Sequence, residues 1–341
     1  MKRSMKRIWG LSIALTGVCL FSTGNTFAQS VEVDEEKTSA VHISFVPPLS
    51  TNWQDAANYT NHFSLNMLVG ISKNETAFTL GGLANIIGNN ANGVQFAGLY
   101  NYVGNDGTGI LFSGLVNMVM NNYSGLQGAG LLNAAKEIKG GQLAGLVNVA
   151  EDVEGFQLAG LINAAKNVKG VQFAGLINIA ETSDYPIGFL NLIKEGERGI
   201  AVTYNEIGSS IISFRSGGKN TYGILGIGFN DKVKSNSYVT TGGFGAHINI
   251  AKWLRINNEL SGETIGTFSK NTTYKAGYAL LPAFKIGQHF ELFGGASINY
   301  MYSNDMSNRN LFTNNPLWKN NTSLSLQQVH IGYQIGLQYI F

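Results

Sequence analysis

The sequence predicts an all-β protein, chiefly an antiparallel β-barrel of membrane type built largely from 15–16-residue single-strand repeats. Three observations predict it. A glycine-centred phrase recurs between Gly81 and Asn191, residues 237–341 alternate apolar and polar at period two, and the mature chain has no apolar run long enough for a spanning helix. With helices set aside, a closed sheet is what satisfies backbone polar groups inside a bilayer.

The elements follow in chain order. Lys2, Arg3, Lys6 and Arg7 precede the apolar stretch Ile8–Phe21, and Thr26-Phe27-Ala28 offers a small-x-small cleavage pattern. Residues 1–28 are therefore expected to be a cleavable export signal, with Gln29 the new N-terminus. Thr16 and Val18 do not fit a lipidation box before Cys19. Cleavage would remove Cys19, the sole cysteine, so no disulfide is expected. The formal charge would change from +2, with 23 basic against 21 acidic residues, to −2, with 19 against 21. Nothing in that balance points to nucleic acid. Residues 29–40, with Glu32, Asp34, Glu35 and Glu36, read as a polar leader, and 41–341 as the barrel.

The repeat phrase is Gly-x-Gln-x-Ala-Gly-Leu-x-Asn-x-Ala, clearest at Gly155–Ala165 and Gly170–Ala180. Its asparagines are Asn85, Asn101, Asn117, Asn133, Asn148, Asn163, Asn178 and Asn191, at steps of 16, 16, 16, 15, 15, 15 and 13. So short a period suits one strand of about eleven residues and a turn. One face of a unit is Val171, Phe173, Gly175, Ile177 and Ile179; the other is Gln172, Ala174, Leu176, Asn178 and Ala180. Charges collect in connections such as Lys136-Glu137-Ile138-Lys139 and Glu151-Asp152-Val153-Glu154. Because the phrase is nearly symmetric about its glycine, an antiparallel meander would set Gln against Asn on a shared face. That arrangement is the expectation for 81–191. A parallel β-solenoid joined to a smaller barrel is the alternative, and it would stack Asn on Asn. The meander has a difficulty: zero-offset pairing supplies none of the stagger a barrel requires.

Across 199–341 the sequence reads as hairpins and a closing strand. Val239–Ile250 and Leu254–Gly266 flank a tight connection at 251–253, and Tyr274–Ile286 and Phe290–Tyr302 flank another at 287–289. Longer polar connections fall near 230–237, 267–273 and 303–327. In Leu254–Thr264 the polar face is Arg255, Asn257, Glu259, Ser261 and Glu263, which suits a wet interior where these charges pair with one another. The last strand carries Val329, Ile331, Tyr333, Ile335, Leu337, Tyr339 and Phe341 on one face. It resembles the terminal strand of Gram-negative outer-membrane barrels. That resemblance implies an outer-membrane address, lipid as partner, and recognition of the strand ending at Phe341 by the barrel-insertion machinery. It also makes the short turns periplasmic and the long loops external. Trp253, Tyr300, Tyr302, Tyr339 and Phe341 fit interfacial girdles.

The repeats, with Tyr185–Ile193, Gly199–Ile207, Ser213–Gly218 and Thr221–Gly228, resemble a bacterial surface-repeat family with AGLxN-type repeats, over roughly 41–341. The resemblance implies envelope location and β architecture and transfers no catalytic residue.

Chemical motifs are sparse. Gly223-x-x-Gly226-x-Gly228 lies within an alternating strand, where a nucleotide loop would open a helix. His42, His62, His247, His289 and His330 have no ligand spacing. Ser261 with Glu259, Glu263 and His247 is the nearest approach to a lipid-processing site, and no nucleophile elbow marks the serine. No catalytic, cofactor-binding or metal residue is assigned, and no cofactor is expected. The sequence thus predicts a non-enzymatic outer-membrane or cell-surface barrel of about 14–18 strands, structural or channel-like. A repeat-built adhesin or scaffold with a soluble solenoid is the first alternative, and a lipid-modifying barrel enzyme the second.

Overall fold

Two β architectures share this chain in a computed structural model, which describes residues 36–233, 237–267, 272–304, 306–322 and 325–341. The expected export signal lies outside the described residues, as does most of the leader. Residues Lys37–Ile193 form a parallel solenoid and Arg198–Ile340 a closed antiparallel barrel.

Each solenoid coil has two strands and two corners. In one coil Asn167–Ala174 is the long strand and Ile177–Ala180 the short one. The long strands build one sheet and the short strands a second. Neighbouring coils pair in parallel and in register, Gly155 on Gly170, Gln157 on Gln172, Asn163 on Asn178. This corrects the antiparallel meander: the solenoid kept as the alternative is the arrangement found. The physical reason lies in the ladder. When identical residues stack, each Asn gives its Nδ2 to the next Asn Oδ1 and keeps its own Oδ1 for the one before. A zero-offset ladder needs no stagger, since it builds a stack and not a cylinder.

The expected eleven-residue strand is likewise two strands, broken at Gly175-Leu176. The faces are otherwise as read: Gln172, Ala174, Asn178 and Ala180 are buried, while Val171 and Phe173 point outward. Leu176 changes side because the corner turns it out, and it is 48% exposed.

Glycine is dictated in two columns. At the corner, a methyl group on Gly160 would run into the carbonyl oxygen of Gly145 in the coil before. In the long strands Gly155 has φ +136°, and a methyl there would strike the carbonyl oxygen of Gly140. We therefore expect Gly155→Ala to cost about 2–4 kcal/mol, strain plus a backbone clash. Gly287→Ala, at φ +67° with nothing within 4 Å, should cost only the strain. Urea unfolding midpoints of the two variants test the difference.

The barrel strands are Arg198–Asn205, Ser209–Gly217, Thr221–Asn230, Ser237–Ala251, Leu254–Thr267, Thr272–Ile286, Phe290–Ser303 and Leu326–Ile340. Consecutive strands pair antiparallel, and the last closes on the first from Gly199–Ile340 to Asn205–Gln334. The count is thus eight and not 14–18, since the repeats take no part in the wall. Both predicted hairpins are present, with Arg255, Asn257, Glu259 and Glu263 inward and Leu260 outward. The closing strand buries Gln328, His330 and Gln338 and exposes Ile331, Tyr333, Ile335, Leu337 and Tyr339. Its edge beyond the first strand is partly covered by Trp318–Lys319 from the long loop.

The solenoid meets the barrel on the outside of the wall. Asn191, last in its ladder, donates its Nδ2 to the Ser216 carbonyl at 3.1 Å and its backbone N–H to Ser216 Oγ at 3.0 Å. Thr221 Oγ1 donates to the Pro186 carbonyl at 2.8 Å, and Phe189 stacks on Phe244 with centroids 5.1 Å apart. The short strands Ser209–Gly217 and Thr221–Asn230 form the seat.

Candidate functional site in the barrel interior

An eight-stranded barrel leaves an interior that side chains can fill. Here they fill it with ion pairs in three tiers. Nearest the solenoid end, Arg255 lies 2.7 Å from the carboxylates of both Glu197 and Glu291. Asn257 donates to Glu291 at 3.0 Å, and His247 stacks on Tyr222 with its Nδ1 2.8 Å from Asn257 Oδ1. In the middle, Arg215 pairs with Glu259 at 2.7 Å, Tyr222 donates its hydroxyl to the same carboxylate at 2.7 Å, and the guanidinium sits 4.4 Å from the Phe293 ring centroid. Toward the loop end, Lys275 bridges Glu263 at 3.1 Å and Glu206 at 3.4 Å, with Asn205 on Glu263 and His330 on Glu206. Above that tier, Ile207, Ile211, Val239, Ile265, Met301 and Leu311 make an apolar plug.

Charges this deep persist only when paired and hydrogen-bonded. The three interior cations, Arg215, Arg255 and Lys275, each face a buried carboxylate, Glu259, Glu291 and Glu263. The expectation that Arg255, Glu259 and Glu263 pair with one another is corrected. They share a strand face at steps of four residues; Arg255 and Glu259 reach across to Glu291 and Arg215 on other strands, while Glu263 meets Lys275, its direct partner on the neighbouring strand. Glu197, Glu206, Arg215, Lys275 and Glu291 carry as much of the network and were not singled out from sequence, and His330, weighed there only as a metal ligand, joins them through Glu206. Alternation alone could have placed Arg215, Lys275 and Glu291 inside, since each falls on the polar face of its strand.

Ser261 and His247 are not brought together. Across the hairpin His247 faces Asn257, and Ser261 faces Gly243 four positions along. Among the described residues, no three His, Cys, Asp or Glu side chains are grouped so as to hold a metal ion. None of the helices described is long and apolar enough to cross a membrane.

The solenoid contains a second polar cluster. Glu75 is buried and accepts hydrogen bonds from Asn61 Nδ2 at 3.1 Å, Thr79 Oγ1 at 2.9 Å and Ser64 Oγ at 2.8 Å. Burial pushes its carboxyl above the ordinary range, opposed by the hydrogen bonds from Asn61, Ser64, Ser72 and Thr79. This cluster caps the N-terminal coils, before the Asn ladder gains its full set of partners.

Fold and interior together define a class: an all-β protein pairing a parallel repeat solenoid with a small, charge-filled antiparallel barrel. No protein-family model and no curated protein matches the chain. Among solved structures, one described as "De novo design of transmembrane beta-barrels" is similar at 14% identity, covering 42% of this chain and 93% of that one, with a TM-score of 0.25. The barrel assignment rests on the strand pairing and not on this likeness. The surface-repeat resemblance likewise rests on the residues of the repeats and of the segments from Tyr185 to Gly228, with no family model behind it.

Proposed function

We propose that this is a non-enzymatic protein of the Gram-negative outer membrane, in which the barrel is a lipid-embedded anchor and the solenoid a structural scaffold fixed to it. One observation carries the reading: the barrel is apolar outside and ionic inside. Ile212, Ile227, Leu260, Ile298, Ile331 and Ile335 are exposed on the outer wall, while Arg215, Arg255, Glu259 and Glu291 are buried within. Water-soluble barrels bury their apolar face, and a membrane barrel shows this inversion. The strands from Ser237 to Ile340 have 14 or 15 residues, above the roughly 9–11 that cross a bilayer when tilted.

Between a structural and a channel-like role, the interior favours the structural one. Ion pairs at 2.7 Å across successive tiers occupy the cross-section, and the apolar plug stands above them. The non-enzymatic reading is supported by the engagement of each interior carboxylate with a cation or a hydrogen-bond donor. Reconstitution in phospholipid vesicles tests both parts. The protein should float with the vesicles after alkaline extraction, migrate faster on gels when unheated, and give no conductance steps in planar bilayers. Recovery as a soluble species without detergent would overturn the anchor, and discrete steps would overturn the sealed interior.

A further inference from the structure

We infer that the solenoid is itself sunk in lipid, with its Gly–Leu corner in the hydrocarbon of one leaflet and its charged corner at the headgroups. The inference rests on the barrel spanning the bilayer, and its occupant is lipid acyl chains.

Each coil changes character from one corner to the other. At the charged corner the outside carries Lys136, Glu151 and Lys166, and the inside is apolar, with Val103, Val153 and Val168 buried. That half is organised as for water. Toward the other corner the order reverses. The inside holds the amide ladder, in which Asn133, Asn148 and Asn163 each donate to the next Asn at 3.0 Å and to a backbone carbonyl at 2.7–2.8 Å. The outside presents a column with one leucine per coil from Leu68 to Leu176, each 36–48% exposed, beside outward Phe and Val side chains such as Phe173 and Val171. Apolar surface this continuous is not left to water. With the Asn column from Asn85 to Asn191 bonded internally, that end resembles the barrel wall: polar within, greasy without.

The seat on the barrel fixes the depth. Near the rim, Asn220 donates to the Asp184 carbonyl at 3.2 Å and Thr221 to that of Pro186. Further up, Phe189, which stands where the leucine column ends, stacks on Phe244, an outward residue midway along Ser237–Ala251. Gly223 and Gly242, both outward, leave room for this coil, since a methyl on Gly223 would strike the Gly188 and Phe189 carbonyls. Phe244 pairs with Gly223, two residues from Thr221, and the Phe189 ring reaches on to Gly242, which pairs with Leu225, four residues from Thr221; that is about 13 Å of strand and about 10 Å along the membrane normal at the usual tilt. Half of a hydrocarbon core of about 30 Å is about 15 Å. The charged corner is thus level with the tight-turn rim, and the leucine corner lies within the hydrocarbon of that leaflet, short of the bilayer middle. The ten parallel long strands, at about 4.8 Å spacing, make a wedge about 43 Å long. At its far end the edge of Lys37–Val46 is partly covered where Leu49–Ser50 folds back and Thr51 donates to the Ile43 carbonyl. Pro47 and Pro48 add no free N–H there.

The test uses single-cysteine variants of the full chain in a Cys19→Ser background, labelled with an environment-sensitive fluorophore and reconstituted in vesicles. Spin-labelled lipids and iodide serve as quenchers. Labels at Leu146→Cys and Leu161→Cys should be quenched several-fold more by acyl-chain spin labels than labels at Lys139→Cys and Lys169→Cys, with iodide giving the reverse order. Leu280→Cys on the outer barrel wall reports on the barrel alone. Lipid quenching at Leu280 with iodide quenching at Leu146 would overturn the inference and leave the anchor standing, whereas iodide quenching at both would remove the anchor as well. A Leu146 label shielded from both quenchers, with concentration-dependent crosslinking between chains, would overturn it in favour of a second copy covering the corner.

Discussion

Asn148→Asp should cost about 3–5 kcal/mol at neutral pH, although it changes only an amide to a carboxylate. Asn148 Nδ2 donates to Asn163 Oδ1 at 3.0 Å and to the Leu158 carbonyl at 2.7 Å, while its Oδ1 accepts from Asn133 at 3.0 Å. Aspartate keeps the acceptor and loses both donors. A carboxylate oxygen would then face an amide oxygen and a carbonyl in a fully buried site whose hydrogen-bond partners are amides and carbonyls. The folded state would raise the pKa of this group, because burial and opposed oxygens penalise the charged form. A raised folded pKa means that stability is lost as pH rises from the unfolded value through the folded one. The variant should therefore recover toward acid pH, where its protonated oxygen becomes a donor again. Asn105→Asp, in the half-buried ladder at the charged corner, should lose no more than about 1 kcal/mol. Urea unfolding followed by circular dichroism at pH 5 and pH 8 separates these outcomes; equal losses at both sites would show that the central ladder is not a special constraint.

Glu259→Ala should be comparably severe in the barrel. Arg215 loses its carboxylate partner and Tyr222 its acceptor, both at 2.7 Å, which leaves a guanidinium buried against Phe293 with Gln338 at 3.4 Å. Breaking one side of a buried pair costs about 3–5 kcal/mol. For a domain of this size that lowers the melting midpoint on the order of 10 °C. Replacing both partners, Arg215→Met with Glu259→Leu, removes the orphaned charge and should restore most of the loss. The temperature at which the unheated gel band is lost measures all three variants. If the double replacement were as unstable as Glu259→Ala, the cost would lie in packing and not in charge.

The two halves differ in how far the residues alone disclosed them. The hairpins from Val239 to Tyr302 and the closing strand were legible because period-two alternation and short turns leave one register that hides every charge. The repeat half was less so. Its phrase is near-palindromic about the glycine, so antiparallel and parallel stacking both bring amides together, and pattern alone does not choose. What chooses is geometry absent from the one-dimensional record: the bend at Gly175-Leu176, which divides a seeming strand of eleven into two sheets. In the interior, alternation told which side chains face inward and not which partner each would meet. Arg255 finds Glu197 and Glu291 through the tilt of strands around the cylinder, and tilt is a property of closure, not of any single strand.

The in-register repeat has a further consequence for how such a molecule can change size. Each coil bonds to its neighbours through the same atoms, so removing or duplicating a whole coil, such as residues 152–166, would rejoin matching surfaces on both sides of the splice. Reach from the barrel would then alter in fixed increments of about 4.8 Å, with the junction at Asn191 and Ser216 unchanged. The repeat is a ruler graduated in coils, and its length can be varied while the barrel stays the same.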